Sequence, residues 1–207
     1  MRMIVIVDYG IGNLNSVSNM IRHGGGMCRI SGDPVEIAEA RALILPGVGA
    51  FDRGMEALRS RGLVDVLNDA VLSRGTPVLG ICLGMQLMAR RSEEGTLPGL
   101  GWLNADVRKF RFPPETRLKV PHMGWSSVSV KKENQLIISD EKQKFYFVHS
   151  YHVVCADEND IAATCRYGDE FVAAFAHRNI YGVQFHPEKS LRYGKRLLEN
   201  FCRMVQS

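Results

Sequence analysis

The 207-residue sequence has no C-x-x-C pair, and its cysteines are odd in number: Cys28, Cys82, Cys155, Cys165 and Cys202. That pattern argues against a disulfide scaffold and predicts free thiols in a reducing compartment. No apolar run approaches the ~18 residues of a membrane span. The run Ile4–Val7 is cut off by Asp8, too short for the core of a secretory leader, so a cytoplasmic protein with no membrane partner is expected. Excess charge is also lacking. Twenty-six Lys and Arg face 22 Asp and Glu, and the net +4 is scattered along the chain, which argues against a nucleic-acid partner. Repeats, low-complexity tracts and long linkers are absent too, so residues 1–207 are expected to form one domain. Metal-ligand spacing is missing as well: His149 and His152 sit at an odd spacing on a strand, and no metal or cofactor is expected.

What is present is an ordinary globular composition, 45% hydrophobic and 23% charged. A chain of this size buries roughly 70% of its unfolded surface and needs no covalent staple. Short aliphatic runs at Ile4–Val7, Cys28–Ser31, Leu43–Leu45 and Val78–Ile81 read as buried strands. Amphipathic segments at Leu14–Arg22, Gly54–Leu72 and Leu83–Arg90 read as helices between and after them. The order predicts an α/β fold. In the second half Trp102–Phe110, Ser126–Val130, Phe145–Val154, Ile161–Tyr167 and Phe171–Phe185 are strand-like, with a turn at residues 177–179. Leu191–Val205 closes the chain as an amphipathic helix.

The stretch from Pro77 to Gln86 carries the chemistry. An apolar strand runs into Gly80-Ile-Cys82-Leu-Gly84 and then a helix, which is a nucleophile elbow with sulfur in place of oxygen. A lone cysteine is commonly a small core residue, but here the following helix N-terminus favours a thiolate and the Leu83 N–H can stabilise an oxyanion. A thiol nucleophile needs a base. Of six histidines, His186 has a partner nearby in His186-Pro187-Glu188. Pro187 keeps His186 extended, and side chains two apart in an extended chain point the same way, so Glu188 can accept the imidazole N–H. Cys82, His186 and Glu188 together form an acyl-transfer constellation.

Six blocks then resemble one family along nearly the whole chain: Val7-Asp-Tyr-Gly-Ile-Gly-Asn-Leu14, Leu45-Pro-Gly-Val-Gly-Ala-Phe51, Gly80-Ile-Cys-Leu-Gly-Met-Gln86, Lys119-Val-Pro-His-Met-Gly-Trp125, Tyr146-Phe-Val-His-Ser-Tyr151 and Gly182-Val-Gln-Phe-His-Pro-Glu-Lys189. The sequence resembles the class I (triad) glutamine amidotransferases, and among them the glutaminase subunits of imidazole glycerol phosphate synthase. The resemblance implies a single-domain fold with a central mixed, mostly parallel sheet flanked by helices, and an additional antiparallel β region in the second half. It implies Cys82 as nucleophile, His186 as general base and then acid, and Glu188 as the group orienting His186, with glutamine passing through a γ-glutamyl thioester. It also implies oxyanion donors at Val48 and Leu83, glutamine contacts at Gly49, Gln86, His149, Ser150 and Tyr151, and interface or ammonia-exit positions at Asn13, Trp125, Tyr146 and Lys189. The glutaminase parts span residues 47 to 188, so the ammonia acceptor is expected on another chain. In the family that partner is a (β/α)₈ cyclase subunit, forming a heterodimer.

The pattern departs at Ser126, where the family usually continues Gly-Trp with Asn. Some bacterial relatives supply ammonia to surface-sugar amidation, so a paralogous glutaminase serving a different, related barrel synthase is the alternative. Two other readings use the same residues differently: Gly10-Ile-Gly12 after the first strand loosely matches a dinucleotide fingerprint, but the third glycine position is Asn15. A cysteine peptidase would employ the same triad without a second subunit.

Overall fold

The computed structural model describes residues 3–113, 115–139 and 142–205. Its first half runs β1 (Ile4–Val7), α1 (Leu14–His23), β2 (Cys28–Ser31), α2 (Pro34–Ala38), β3 (Ala42–Gly47), α3 (Phe51–Ser60), α4 (Leu63–Asn68), β4 (Val78–Cys82) and α5 (Leu83–Leu87). The second half adds β5 (Arg91–Ser92), β6 (Ala105–Lys109), β7 (His122–Val130), β8 (Gln143–His149), β9 (Tyr151–Cys155), β10 (Ile161–Tyr167), β11 (Asp169–His177), β12 (Ile180–Val183) and α6 (Leu191–Met204). Nine strands form one sheet in the order β2-β1-β3-β4-β12-β11-β10-β7-β8.

An all-apolar strand can only be buried on both faces, and β1 obeys that rule. Ile4 and Ile6 join the core packed by Val17 and Ile21 of α1 and by Leu197, Leu198 and Phe201 of α6. Val5 and Val7 point the other way, into the core built from Ile37 of α2, Met55 and Leu58 of α3, and Leu63 and Leu67 of α4. Helices thus cover both faces of the parallel part. The pairings β2-β1-β3-β4-β12 are all parallel, as the resemblance implies. The antiparallel strands β11, β10, β7 and β8 continue the same sheet. A separate three-stranded sheet, β5-β6-β9, packs beside them. Among the described residues no helix is long and apolar enough to cross a membrane.

Several segments differ from the periodicity reading: α2 is a helix where none was expected, and β6 takes up only Ala105–Lys109 of the expected strand Trp102–Phe110. The expected helix Gly54–Leu72 is two helices broken at Gly62, which takes φ +66°, followed by one π-turn over Asp69–Ser73. Leu58 and Leu63 are five positions apart, and a continuous helix cannot turn both toward one core. The expected helix Leu83–Arg90 stops at Leu87, because carbonyls of its last turn accept from the following loop, Leu100 N–H to Leu87 and Trp102 N–H to Met88. The run Phe145–Val154 is two strands in different sheets, β8 and β9, and the chain changes sheet at Ser150.

At the carboxyl edge of the parallel strands β3 and α5 approach closely. A Cβ added to Gly84 would lie 1.7 Å from the Leu45 carbonyl oxygen, so only glycine fits there. Gly84→Ala is expected to lower stability by about 3 kcal/mol. A urea midpoint unchanged from wild type would contradict this packing.

Candidate active site

Neighbouring parallel strands end at the same edge of a sheet, and that is how distant residues meet here. Gly47 at the end of β3 pairs with Cys82 at the end of β4, and β12, beside β4, leads into His186. Cys82 has φ +53° and ψ −110°, a conformation that costs a non-glycine residue about 1–3 kcal/mol and is held by the buried turn around it. It is 7% exposed, and the chain enters α5 immediately after it.

His186 is extended, as Pro187 requires, and its N–H donates to the Tyr146 carbonyl at 2.9 Å. Glu188 is reached through a 3₁₀ turn over Pro187–Lys189, where an extended continuation was expected. Ser190 closes that turn by donating its hydroxyl to the His186 carbonyl at 2.6 Å, while the Lys189 N–H bonds the same carbonyl. The carboxylate still reaches the ring: His186 Nδ1 lies 2.9 Å from Glu188 Oε1, with both side chains 2% exposed. The other ring nitrogen, Nε2, is buried without a hydrogen-bond partner, and so is Glu188 Oε2. Burial alone would lower the His186 pKa, but Cys82 and Glu188 together outweigh it and raise it to about 9.

A cavity of about 450 Å³ opens over the sulfur. It is lined by Val48 and Gly49 beyond β3, by Cys82, Leu83 and Gln86 around the elbow, by His149, Ser150 and Tyr151 at the change of sheet, and by His186 and Lys189. Every oxyanion and glutamine-contact position expected from the sequence therefore borders one space. Gly49 holds φ +100°, open to glycine and closed to most other residues. Just before it, the loop is anchored by the buried Tyr9 hydroxyl, which donates to the Pro46 carbonyl at 2.7 Å. The Gly10–Gly12 turn packs against the same strand end, since a Cβ on Gly12 would sit 3.3 Å from Pro46.

Three residues that the sequence reading passed over belong to the site. Glu94 lines the cavity and accepts the Phe51 N–H at 2.9 Å, tying its own loop to the start of α3, where the Val48–Ala50 loop ends. No local motif announces it. Gln184 is wholly buried; its Oε1 accepts from Gln86 Nε2 at 3.0 Å and its Nε2 donates to Cys82 Sγ at 3.7 Å. Its place two residues before His186 on an extended segment was the signal available. His122 is the third. The Tyr151 carbonyl can only accept, so His149 Nδ1 donates to it at 2.8 Å and His149 Nε2 must then accept from His122 Nδ1 at 3.1 Å. His122 Nε2 in turn accepts from the Ser126 hydroxyl at 2.9 Å. Both rings are neutral in this chain, and burial pulls their pKa values down, to about 4 for His122 and about 3 for His149.

Four positions were expected at an interface or ammonia exit. Trp125 and Tyr146 pair across β7 and β8 with ring centroids 6.2 Å apart, and Lys189 Nζ lies 5.8 Å from the Tyr146 ring. These three form a row from the cavity wall to the surface. Asn13 is exposed at the N-terminus of α1, where it accepts a hydrogen bond from Ser16.

Two pH responses follow. Glu188→Gln removes one of the two groups, with Cys82, that raise His186, so its midpoint, followed by histidine NMR, should fall from near 9. A raised histidine pKa stabilises the fold below the unfolded value of 6.5 and loses that contribution as pH rises through about 9, so the stability gap between wild type and Glu188→Gln should close over that window. His122 and His149 have the opposite sign: the unfolded chain binds their protons first, and stability should fall as pH drops from 6.5 toward 4. Urea midpoints that stay level over that lower range would contradict the neutral pair.

Comparison with known proteins places this geometry in a family. The glutamine amidotransferase class-I model matches residues 5–205. The imidazole glycerol phosphate synthase subunit HisH 2 of Pseudomonas aeruginosa is 49% identical over 98% of this chain and 100% of its own length. HisH 2 of Methanococcus maripaludis is 50% identical and HisH of Leptospira interrogans 44%, with the same coverage. Among solved structures, a glutamine amidotransferase superposes with a TM-score of 0.75 at 18% identity, covering 99% of this chain and 100% of that one, which shows the shared fold. With its cysteine elbow, its His-Glu pair and these relatives, the chain belongs to the class I glutamine amidotransferase family.

Proposed function

We propose that the chain is the glutaminase subunit of imidazole glycerol phosphate synthase, releasing ammonia from glutamine for histidine biosynthesis. The alignment of Cys82, His186 and Glu188 beside a cavity of small-molecule size carries this reading. The Cys82 thiolate attacks the carboxamide carbon of glutamine, and the carbonyl oxygen takes up negative charge. The Leu83 N–H and an N–H at Val48 stabilise that oxyanion, with Gly49 supplying the backbone freedom for the Val48 peptide to turn inward. His186, protonated and held by Glu188, gives its proton to the departing nitrogen, and ammonia leaves a γ-glutamyl thioester. His186 then takes a proton from water as that water attacks the thioester, the carbon–sulfur bond breaks, and glutamate leaves with one proton released to solvent, restoring the Cys82 thiolate and protonated His186.

Substrate contacts follow from charge and hydrogen-bonding capacity. Glu94 is the carboxylate that borders the cavity, suited to the α-ammonium group. Gln86 commits its amide nitrogen to Tyr151 and Gln184, leaving its carbonyl oxygen for a substrate N–H. Ser150 and Tyr151 complete the wall.

The ammonia acceptor is a cyclase subunit docked on the β7 face. Met123 and Trp125 are 62% and 47% exposed there, large apolar side chains beside the Tyr146–Lys189 row that leads to the cavity. The relatives described above are named as subunits of imidazole glycerol phosphate synthase, which favours this partner over a surface-sugar synthase.

Glutamate release should be slow for the isolated chain and strongly stimulated by the histidine-pathway cyclase together with its nucleotide ligand. Cys82→Ala should abolish hydrolysis while still binding the cyclase. Hydrolysis that survives the substitution would reject the nucleophile assignment, and a chain the cyclase neither binds nor stimulates would reject the histidine role.

A further inference from the structure

The amide of Gln184 touches the nucleophile, and its orientation is dictated by a chain of groups that each have one choice. The Tyr151 carbonyl oxygen can only accept, so the Gln86 atom 3.0 Å from it is the nitrogen Nε2. The same nitrogen lies 3.0 Å from the Gln184 side chain, which must therefore turn its oxygen, Oε1, toward Gln86. The other end of the Gln184 amide is then an N–H donor, and it lies 3.7 Å from Cys82 Sγ, within reach of the larger sulfur atom. Gln184 cannot escape this arrangement into solvent, since it is 0% exposed and its backbone N–H is held by the Ala173 carbonyl at 2.9 Å.

We infer that Gln184 is a further catalytic residue: its fixed amide N–H donates to the Cys82 sulfur and holds the thiolate in the attacking position. The inference rests on Cys82 being the nucleophile of the amidotransferase reading. A donor that is fully buried and already oriented favours the charged sulfur over the neutral thiol, because the thiol gains little from accepting a hydrogen bond. His186 cannot supply this alone, as its proton must leave with ammonia while the sulfur is bound to carbon. Gln184 keeps its own proton throughout. It steadies the sulfur before attack and again when the thioester breaks and the thiolate returns.

The test is labelling of Cys82 by iodoacetamide between about pH 5 and 9, followed by mass spectrometry of its peptide in the full chain. Gln184→Leu removes the donor, and Gln184→Glu keeps the size but presents an acceptor oxygen to the sulfur. The Leu variant should label about tenfold more slowly at neutral pH and recover in alkali, with Gln184→Glu slower still at neutral pH. A merely structural role would lower the melting temperature and leave the labelling profile in place, so profiles that superpose on wild type overturn the proposal. Should both variants fail to fold, the side-chain amide resonance of Gln184 in the wild-type protein decides. It should shift with the same pH midpoint as labelling and lose that shift in Cys82→Ala; a pH-independent resonance overturns the proposal. Wild-type chain that labels at Cys82 yet hydrolyses no glutamine with the cyclase present would reject the histidine role, while the labelling profiles still judge Gln184.

Discussion

The close approach of the Leu45 carbonyl to Gly84 is the constraint on which the site depends. With 1.7 Å between that oxygen and the place of a Cβ, the end of β3 and the start of α5 share a space that no side chain can enter. The approach lets the chain turn sharply at Cys82, which accepts a positive φ as the consequence. It also sets the loop after Gly47 beside the first turn of α5, so that backbone N–H groups from two elements can face one atom. Tyr9 and Glu94 then fix the two ends of that loop, through Pro46 and Phe51 respectively, and leave Val48 and Gly49 between them.

Burial acts on the histidines here with opposite results, and their partners decide the outcome. His149 and His122 hydrogen-bond uncharged partners, a carbonyl, a hydroxyl and each other, and neighbouring His186 further opposes a charge on His149, so desolvation prevails and both rings stay uncharged. His186 is as well hidden, but a carboxylate at 2.9 Å and the neighbouring sulfur reverse the balance. His149 holds the Tyr151 carbonyl, and His122 fixes the His149 ring from its other nitrogen. Ser126, the departure from the family pattern, supplies the hydroxyl at the far end of that neutral chain.

The antiparallel half of the sheet connects this chemistry to the surface. β7 and β8 set Trp125 beside Tyr146, and the 3₁₀ turn after His186 brings Lys189 over the same ring. The turn that delivers Glu188 to the histidine thus also delivers Lys189 to the cavity wall. Ser190 ties both to β8 by accepting the Tyr146 N–H at 3.0 Å.

The sequence by itself determined the features that a few adjacent residues can specify. Alternating apolar strands, the Gly-x-Cys-x-Gly elbow and the His-Pro-Glu pair need no distant partner, because a strand's side chains alternate and a proline restricts its neighbour wherever they occur. Local pattern failed where distant chain decided the outcome. The helix after Leu83 ends early because the loop around Leu100 and Trp102 takes its carbonyls, and β8 gives way to β9 because Tyr151 pairs with Lys109 in another sheet. Only the tertiary structure placed β12 against β4, and with it His186 and Gln184 against Cys82, while the loop carrying Glu94 came to rest against α3. Contacts between residues so far apart in the chain are set by how the sheet is ordered and its edges filled, and no periodicity within a segment records that order.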